Sequence, residues 1–595
     1  MRNLYRFILA VVLISGQLVM AQTPLPPGMS GGTGQNPQGE NAQLKREIDD
    51  LKKALTLLEE RLKAQEKKQQ EIEPKADKAV VELKDLDKRV MKTERDTALQ
   101  RIRFGGDYRF QAHTVQGDIP AHFDGMKLQN LLVKTMFSMS VLGRPPMSID
   151  EINQTVQSNY SGYQFFTQNL TFDQLKGAMS QFPPEMQQQL FGMLMPSTFV
   201  PEYEADNKIM YTNRLRIRLD TQVADNVSVS ARLSMYKVFG DSTGVQVFNG
   251  QPNTISLDGT TTGIPNSDIV RVDRAYFNWT KIGGSPFFLS IGRRPSTAGP
   301  PTNYRDDELR GGTPSGALIN YQFDGMTFGY NLSENTILRL CYGVGYESGF
   351  GSGDTLRLPQ DRLKDVHFLG ANVDIWNTER TLIQATVARA YDVTDGFNGL
   401  IVLPSNPLTG DPVGAPVVMR FTPSANLGHI NLAGINVTRR FGPLDTFISA
   451  NYVGLRPNST TTPFGGLGSD PFETPSDRNG SMIYVGVRYN FPNEDRTKIG
   501  FEFNRGSKYW FNFSQAADDI IAPKTNARGN VFETYLTHRI NNRFIVKADW
   551  IYYDYIYSGS GWHLGAPKRL DSSPILGFPT YSKVSMGTIG LVTRF

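Results

Sequence analysis

The chain ends Val584-Ser-Met-Gly-Thr-Ile-Gly-Leu-Val-Thr-Arg-Phe595, and how this stretch is read decides the fold. Extended, it puts Gly587, Ile589, Leu591, Thr593 and Phe595 on one face and Thr588 and Arg594 on the other. Soluble domains usually fray at their termini. A transmembrane β-barrel does not, because its last strand must pair with its first to leave no open edge in lipid. A strand running flush to a terminal aromatic therefore points to a barrel, with a C-terminal strand of a soluble sheet as the alternative.

The same two-residue period recurs upstream. Ile102, Phe104, Tyr108, Phe110 and Ala112 alternate with Arg103, Asp107, Arg109 and Gln111. Leu215, Ile217, Leu219 and Val223 alternate with Arg214, Arg216, Arg218, Asp220 and Gln222. After Ala224-Asp-Asn226 the pattern resumes, Val227, Val229, Ala231, Leu233 and Met235 against Ser228, Ser230, Arg232 and Ser234. An arginine at every second residue beside Leu or Ile fits a wall with hydrocarbon outside and water inside.

Counting such segments predicts an all-β, antiparallel transmembrane barrel of about sixteen strands over 101–595, an even number as single-chain barrels require. The connections alternate short and long throughout. Short turns fall at 224–226, 281–286, 333–335, 377–380, 442–444, 492–496 and 541–542, with a long loop between every other pair of strands. Short periplasmic turns and long outer loops produce this pattern. Trp279, Trp376, Phe441, Phe491 and Phe544 all lie within a few residues of a short turn, where an interfacial aromatic girdle belongs. The largest insertion, 113–210, carries Met179, Met186, Met193 and Met195, reads as helical over Phe172–Met195, and is expected at the outer face as a constriction, a cap or a subunit contact.

The N-terminal region is of another kind. Arg2 and Arg6 precede an apolar run ending at Val19-Met-Ala21, the layout of a secretory signal peptide over 1–21. Its loss would lower the formal charge from +4 to about +2, since it carries two basic residues. Residues 22–40 are rich in Pro, Gly and Ser and predict a flexible linker. Over 41–100 the spacing predicts a periplasmic coiled coil, with Leu44, Ile48, Leu51, Leu55, Leu58 and Leu62 as the seam, interrupted at Pro74. A long amphipathic helix packed on its own barrel is the alternative.

Composition argues against several classes. The one cysteine, Cys341, has no partner for a disulfide or a Cys-x-x-Cys site. The six histidines are scattered, without His-x-x-x-His or Glu-x-x-His spacing for a metal. Gly28-Met-Ser30-Gly-Gly32 matches the nucleophile pattern but lies in the linker, without the strand and helix that pattern needs. No enzyme activity, no cofactor and no metal are expected. The balanced charge, with no basic block, suggests no nucleic-acid partner.

Five stretches, Gly105-Gly-Asp-Tyr-Arg-Phe110, Arg274-Ala-Tyr-Phe277, Ile291-Gly-Arg-Arg294, Phe501-Glu-Phe-Asn-Arg-Gly-Ser-Lys-Tyr-Trp510 and the terminal Phe595, carry a resemblance to bacterial outer-membrane porins. The chain looks most like a poorly characterised porin group with a signal peptide and an N-terminal coiled coil. The resemblance implies location in the outer-membrane lipid, a homotrimer, and recognition of Phe595 by the barrel-assembly machinery, although Thr593 departs from that signal. It implies passive diffusion of small hydrophilic solutes or ions. The alternative is a structural protein that tethers or organises the envelope through its coiled coil. The expected pore-lining residues are Arg103, Asp107, Arg109, Arg214, Arg216, Arg218, Asp220, Arg232, Arg274, Arg294, Arg339, Asp374, Glu502, Glu533 and Asp549. Rows of basic side chains predict a mild preference for anions, unless they only pair with neighbouring carboxylates. A barrel of this size is expected to leave an aqueous channel.

Overall fold

In a computed structural model of the chain, the described residues are 102–170, 177, 182–240, 267–349, 358–395, 399–403, 417–421, 423–462, 465–471, 473–492, 496–514, 517–577 and 579–595, with 52, 53, 56, 60 and 63. Those five isolated positions are helical and exposed. The signal peptide, the linker and all six seam residues of the coiled coil lie outside the described residues. Residues 1–95 and 96–595 form separate compact units.

Sixteen strands close into one barrel. They are β1 (Arg103–Ile119), β2 (Tyr203–Ala224), β3 (Val227–Val238), β4 (Ser267–Trp279), β5 (Phe287–Arg293), β6 (Asp324–Asn331), β7 (Ile337–Tyr346) and β8 (Val366–Asn377), followed by β9 (Thr381–Thr394), β10 (Asn426–Phe441), β11 (Leu444–Pro457), β12 (Arg478–Asn490), β13 (Thr497–Gly506), β14 (Gly529–Arg539), β15 (Phe544–Tyr555) and β16 (Lys583–Arg594). Each pairs antiparallel with its sequence neighbour, and β1 pairs with β16 from Asp107↔Arg594 to Asp118↔Lys583. Beyond that register the terminal residue completes the seam, with Gly106 N–H donating to Phe595 O at 2.9 Å and Phe595 N–H to Gly106 O at 3.1 Å. Gly106 is required there: a Cβ would stand 2.3 Å from Arg216 O and 2.8 Å from the Phe595 ring.

Two solvents explain the wall. Phe104 is 74% exposed, Ile589 66%, Val387 55% and Trp376 50%, and Trp279, Phe441, Phe491 and Phe544 near the short turns are exposed too. Hydrocarbon makes such exposure favourable, whereas a water-soluble surface rarely carries a continuous apolar belt. No described helix is long and apolar enough to cross a membrane; the strands do the crossing.

The insertion after β1 holds α1 (Gly125–Leu142), α2 (Ile149–Ser158), α3 (Tyr160–Asn169) and α4 (Pro184–Leu194). Ser148 caps α2, accepting from Glu151 N–H at 3.1 Å. Val133, Phe137, Val156 and Tyr163 give this bundle its own small core. The expected helix over 172–195 is described at Gly177 and from Pro184 to Leu194; the other positions of 171–181 lie outside the described residues. Helix α3 meets the strand Val417–Phe421 of a hairpin in the loop between β9 and β10. Those strands stand half the barrel away from β1 and β2, so the two loops together bridge the long-loop mouth. Of the three expected placements, this contact is the one a cap would make.

Two strands that the alternation predicts over 316–331 and 497–510 are shorter in the structure. Residues 316–323 leave the wall before β6, and 507–510 leave it after β13. Both segments turn into the lumen. There Ala317, Leu318, Ile319 and Tyr321 pack with Trp510, Phe511 and Phe513, with Trp562, Leu564 and Leu467 from other loops, and with wall residues such as Phe368, Ile430, Phe447 and Tyr484. Ile319 and Phe513 form a parallel bridge. The expected aqueous channel is narrowed by this filling. On the β8–β12 side the long loops fill the interior with an apolar core of their own.

Candidate functional site: a charged crossbar in the lumen

The loop joining β5 to β6 makes the site. A Pro300-Pro301 pair starts a series of turns in which Tyr304 N–H donates to Pro301 O and Asp307 N–H to Tyr304 O, both at 3.1 Å. Asp307 sits at φ 48, in the left-handed region that Asp tolerates better than most residues. The side chains of the run Arg305-Asp-Asp-Glu-Leu-Arg310 then spread to separate parts of the wall. Asp306 accepts from Lys547 on β15. Asp307 meets Lys498 of β13 and Arg539 of β14, each at 2.6 Å, with Arg488 of β12 at 3.6 Å. Glu308 accepts from Arg216 of β2 at 2.8 Å. Arg310 donates to Asp374 of β8 at 2.9 Å. Four residues of this six-residue run thus anchor to widely separated strands, which places the segment across the bore.

The loop between β13 and β14 braces it. Asp518 accepts from Arg109 on β1 and Arg214 on β2, while its carbonyl accepts from Arg305 at 3.1 Å. Lys524 donates to Glu502 and Glu533, both almost fully buried. Neutral bonds lock the two loops together: Asn512 Nδ2 donates to Ala317 O at 2.7 Å and Asn320 N–H to Phe513 O at 2.6 Å. Ion pairs sheltered from water at this depth resist salt far better than surface pairs do.

Against this frame each expected pore residue has a place. Asp107 accepts from Arg214 and Arg216. Arg232 is bidentate to Asp273, 2.7–2.9 Å. Arg339 donates to Asn372 and Asp374, each at 2.9 Å. Asp220 accepts from Ser230 at 2.6 Å, and Asp549 is hydrogen-bonded by Thr588. Arg294 donates to Ser290 at 3.0 Å and to Thr327. Arg274 donates to Thr297 Oγ1 at 2.9 Å. Arg103 and Arg218 are exposed, and neither has a carboxylate within ion-pair distance among the described residues. The structure therefore brings Arg109, Arg214, Arg216, Asp107, Glu502, Glu533 and Asp374 together around the loops, and leaves Arg103 and Arg218 apart. A cavity of about 70 Å³ remains beside Arg214, Arg216, Arg232 and Asp273 on one side and Thr302, Arg305 and Asp518 on the other.

Arg305–Arg310 and Asp518 were missed by sequence reasoning, although five charges in six residues of one long loop is a signal. Five of the arginines expected to line the bore, Arg109, Arg214, Arg216, Arg232 and Arg339, are paired with carboxylates of the wall or of the loops.

The sequence profile of a family described as a protein of unknown function (DUF3373) matches residues 204–584. The chain belongs to that family. No functionally curated protein matches it. Among solved structures it is similar to OprB of Pseudomonas putida, at 9% identity and a TM-score of 0.38 over 84% of this chain and 96% of that one. It is similar also to the outer membrane channel DcaP of Acinetobacter baumannii, at 11% and 0.35 over 83% and 97%. A third is an anion-selective porin from Comamonas acidovorans, at 7% and 0.38 over 83% and 99%.

Proposed function

We propose that this member of the DUF3373 family is an outer-membrane porin through which small hydrophilic solutes or ions diffuse passively, narrowed by the crossbar and mildly preferring anions. One observation carries the reading: a closed sixteen-stranded wall that is apolar outside and charged inside, which is useful only between lipid and an aqueous bore. The apolar filling on the β8–β12 side leaves the polar side, β1–β5, as the route. Net preference is modest because most wall cations already face loop carboxylates. By resemblance, the porin forms a trimer inserted by the barrel-assembly machinery, with 41–100 as a periplasmic coiled coil.

The test is conductance in planar bilayers. Purified protein in a salt gradient should give discrete steps with a reversal potential displaced toward the anion side. Clear cation selectivity would remove the anion preference. Absence of any conductance, combined with a loosened envelope and normal permeability in cells lacking the protein, would favour the tethering role instead.

A further inference from the structure

Three arginines stand in one lateral row inside the barrel. Arg218 on β2 is the register partner of Arg232 on β3, and Arg232 is the partner of Arg274 on β4. Directly opposed residues have side chains about 5 Å apart, and like charges so placed repel. The register shifts at this point of the β3–β4 pair, and the irregularity turns both Asp273 and Arg274 inward: Asp273 holds Arg232, while Arg274 touches Thr297. Asp273 is the one carboxylate in ion-pair contact with the row among the described residues, and it is spent on Arg232 alone. Among the described residues Arg274 has only Thr297 O and Oγ1 as acceptors, at 3.3 and 2.9 Å, and its Nε is buried without a partner. Arg216 and Arg232 act on it as further positive charges. Loop carboxylates meet the wall arginines Arg109, Arg214 and Arg216; here the loop presents Thr297 and Gly311 instead. A guanidinium fork wants two oxygens of a carboxylate or phosphate.

We infer that the row Arg218–Arg232–Arg274 binds the oxyanion group, carboxylate or phosphate, of a solute passing through the lumen. The inference rests on the porin reading and deepens it by naming the solute class. Arg218, exposed to the bore, receives the anion; Arg274 supplies the edge of its guanidinium that Thr297 leaves open. Chloride, which lacks the paired oxygens, is held less well.

The full chain is reconstituted in bilayers, with chloride current recorded while succinate or inorganic phosphate is added. Saturable block of chloride current is expected, by succinate if the seat suits carboxylates and by phosphate if it suits phosphate. In the double variant Arg218→Gln/Arg274→Gln the block should weaken about tenfold or more, equal to about 1.4 kcal/mol of binding; Arg274→Lys should keep part of it. Channels that conduct normally, with block equal in wild type and double variant, or with no block at all, would overturn the inference and leave the porin reading intact. If no channels form, the porin reading fails, and a second measurement still decides: phosphate or succinate should raise the unfolding temperature in detergent for the wild type and not for Arg274→Gln. Equal shifts, or none, would overturn the anion seat.

Discussion

Asp307 shows how much a single side chain holds in this lumen. Lys498 and Arg539 each reach it at 2.6 Å, Arg488 lies at 3.6 Å, and the carboxylate is almost fully buried. Removing one partner from buried pairs typically costs 3–5 kcal/mol, because the remaining charges stay desolvated. Asp307→Asn should therefore destabilise the crossbar by about 3 kcal/mol and enlarge single-channel conductance. Denaturant unfolding in micelles and bilayer recording check the two halves, and unchanged conductance would show that the crossbar does not limit flow. His563 gives a dependence on pH. It is buried against Phe511, donates Nε2–H to Thr394 O at 2.7 Å, and burial pushes its pKa down to about 4. The folded side chain resists protonation while the unfolded one accepts a proton near pH 6.5, so its stabilisation is full above 6.5 and is lost as pH falls toward 4. The loss reaches about 3 kcal/mol at the acid end. Wild type should lose more stability than His563→Gln between pH 7 and 4.5, and parallel curves would refute the assignment. The wall arginines were legible in the sequence because each repeats at every second position. Their partners were not: Asp306, Asp307, Glu308 and Asp518 lie in loops without a period, and only the fold brings them to Arg109 or Arg216.

At the scale of elements, the strands and the alternation of short and long connections were readable because water and lipid impose opposite demands on consecutive residues. The exceptions are instructive. Ala317-Leu-Ile319 and Tyr509-Trp-Phe511 look like wall, being apolar and next to true strands, yet they pack on the inside of the barrel. Alternation reports that one face is apolar and is silent on whether lipid or another loop covers it. The helical insertion was visible as an interruption, but its place across the mouth depends on a hairpin from the opposite wall. Its removal is geometrically simple. Ile119 and Tyr203 are already register partners at the ends of β1 and β2, so a tight two-residue turn can replace 120–202. The shortened barrel should fold and conduct more, since the cap is gone and the crossbar remains. Conductance equal to that of the full chain would mean that the crossbar alone sets the flow.

At the scale of the whole molecule, closure and assembly are separable. The barrel is sealed by contacts inside residues 96–595, ending in the Gly106–Phe595 exchange. The heptad seam expected at Leu44, Ile48, Leu51, Leu55, Leu58 and Leu62 would, by contrast, gain stability only by meeting another helix. Deleting residues 41–95 should therefore leave a heat-resistant, detergent-dependent barrel with unaltered conductance per channel. The same deletion should convert trimers to monomers in micelles, read by light scattering with the detergent mass subtracted. Mixed Leu and Ile at the seam do not fix the number of strands in a coiled coil, so the trimer is the part most exposed in this experiment. Deleted protein that stays trimeric would move the assembly contact from the seam to the lipid-facing wall. Deleted protein that no longer forms a barrel would mean that the N-terminal region takes part in folding.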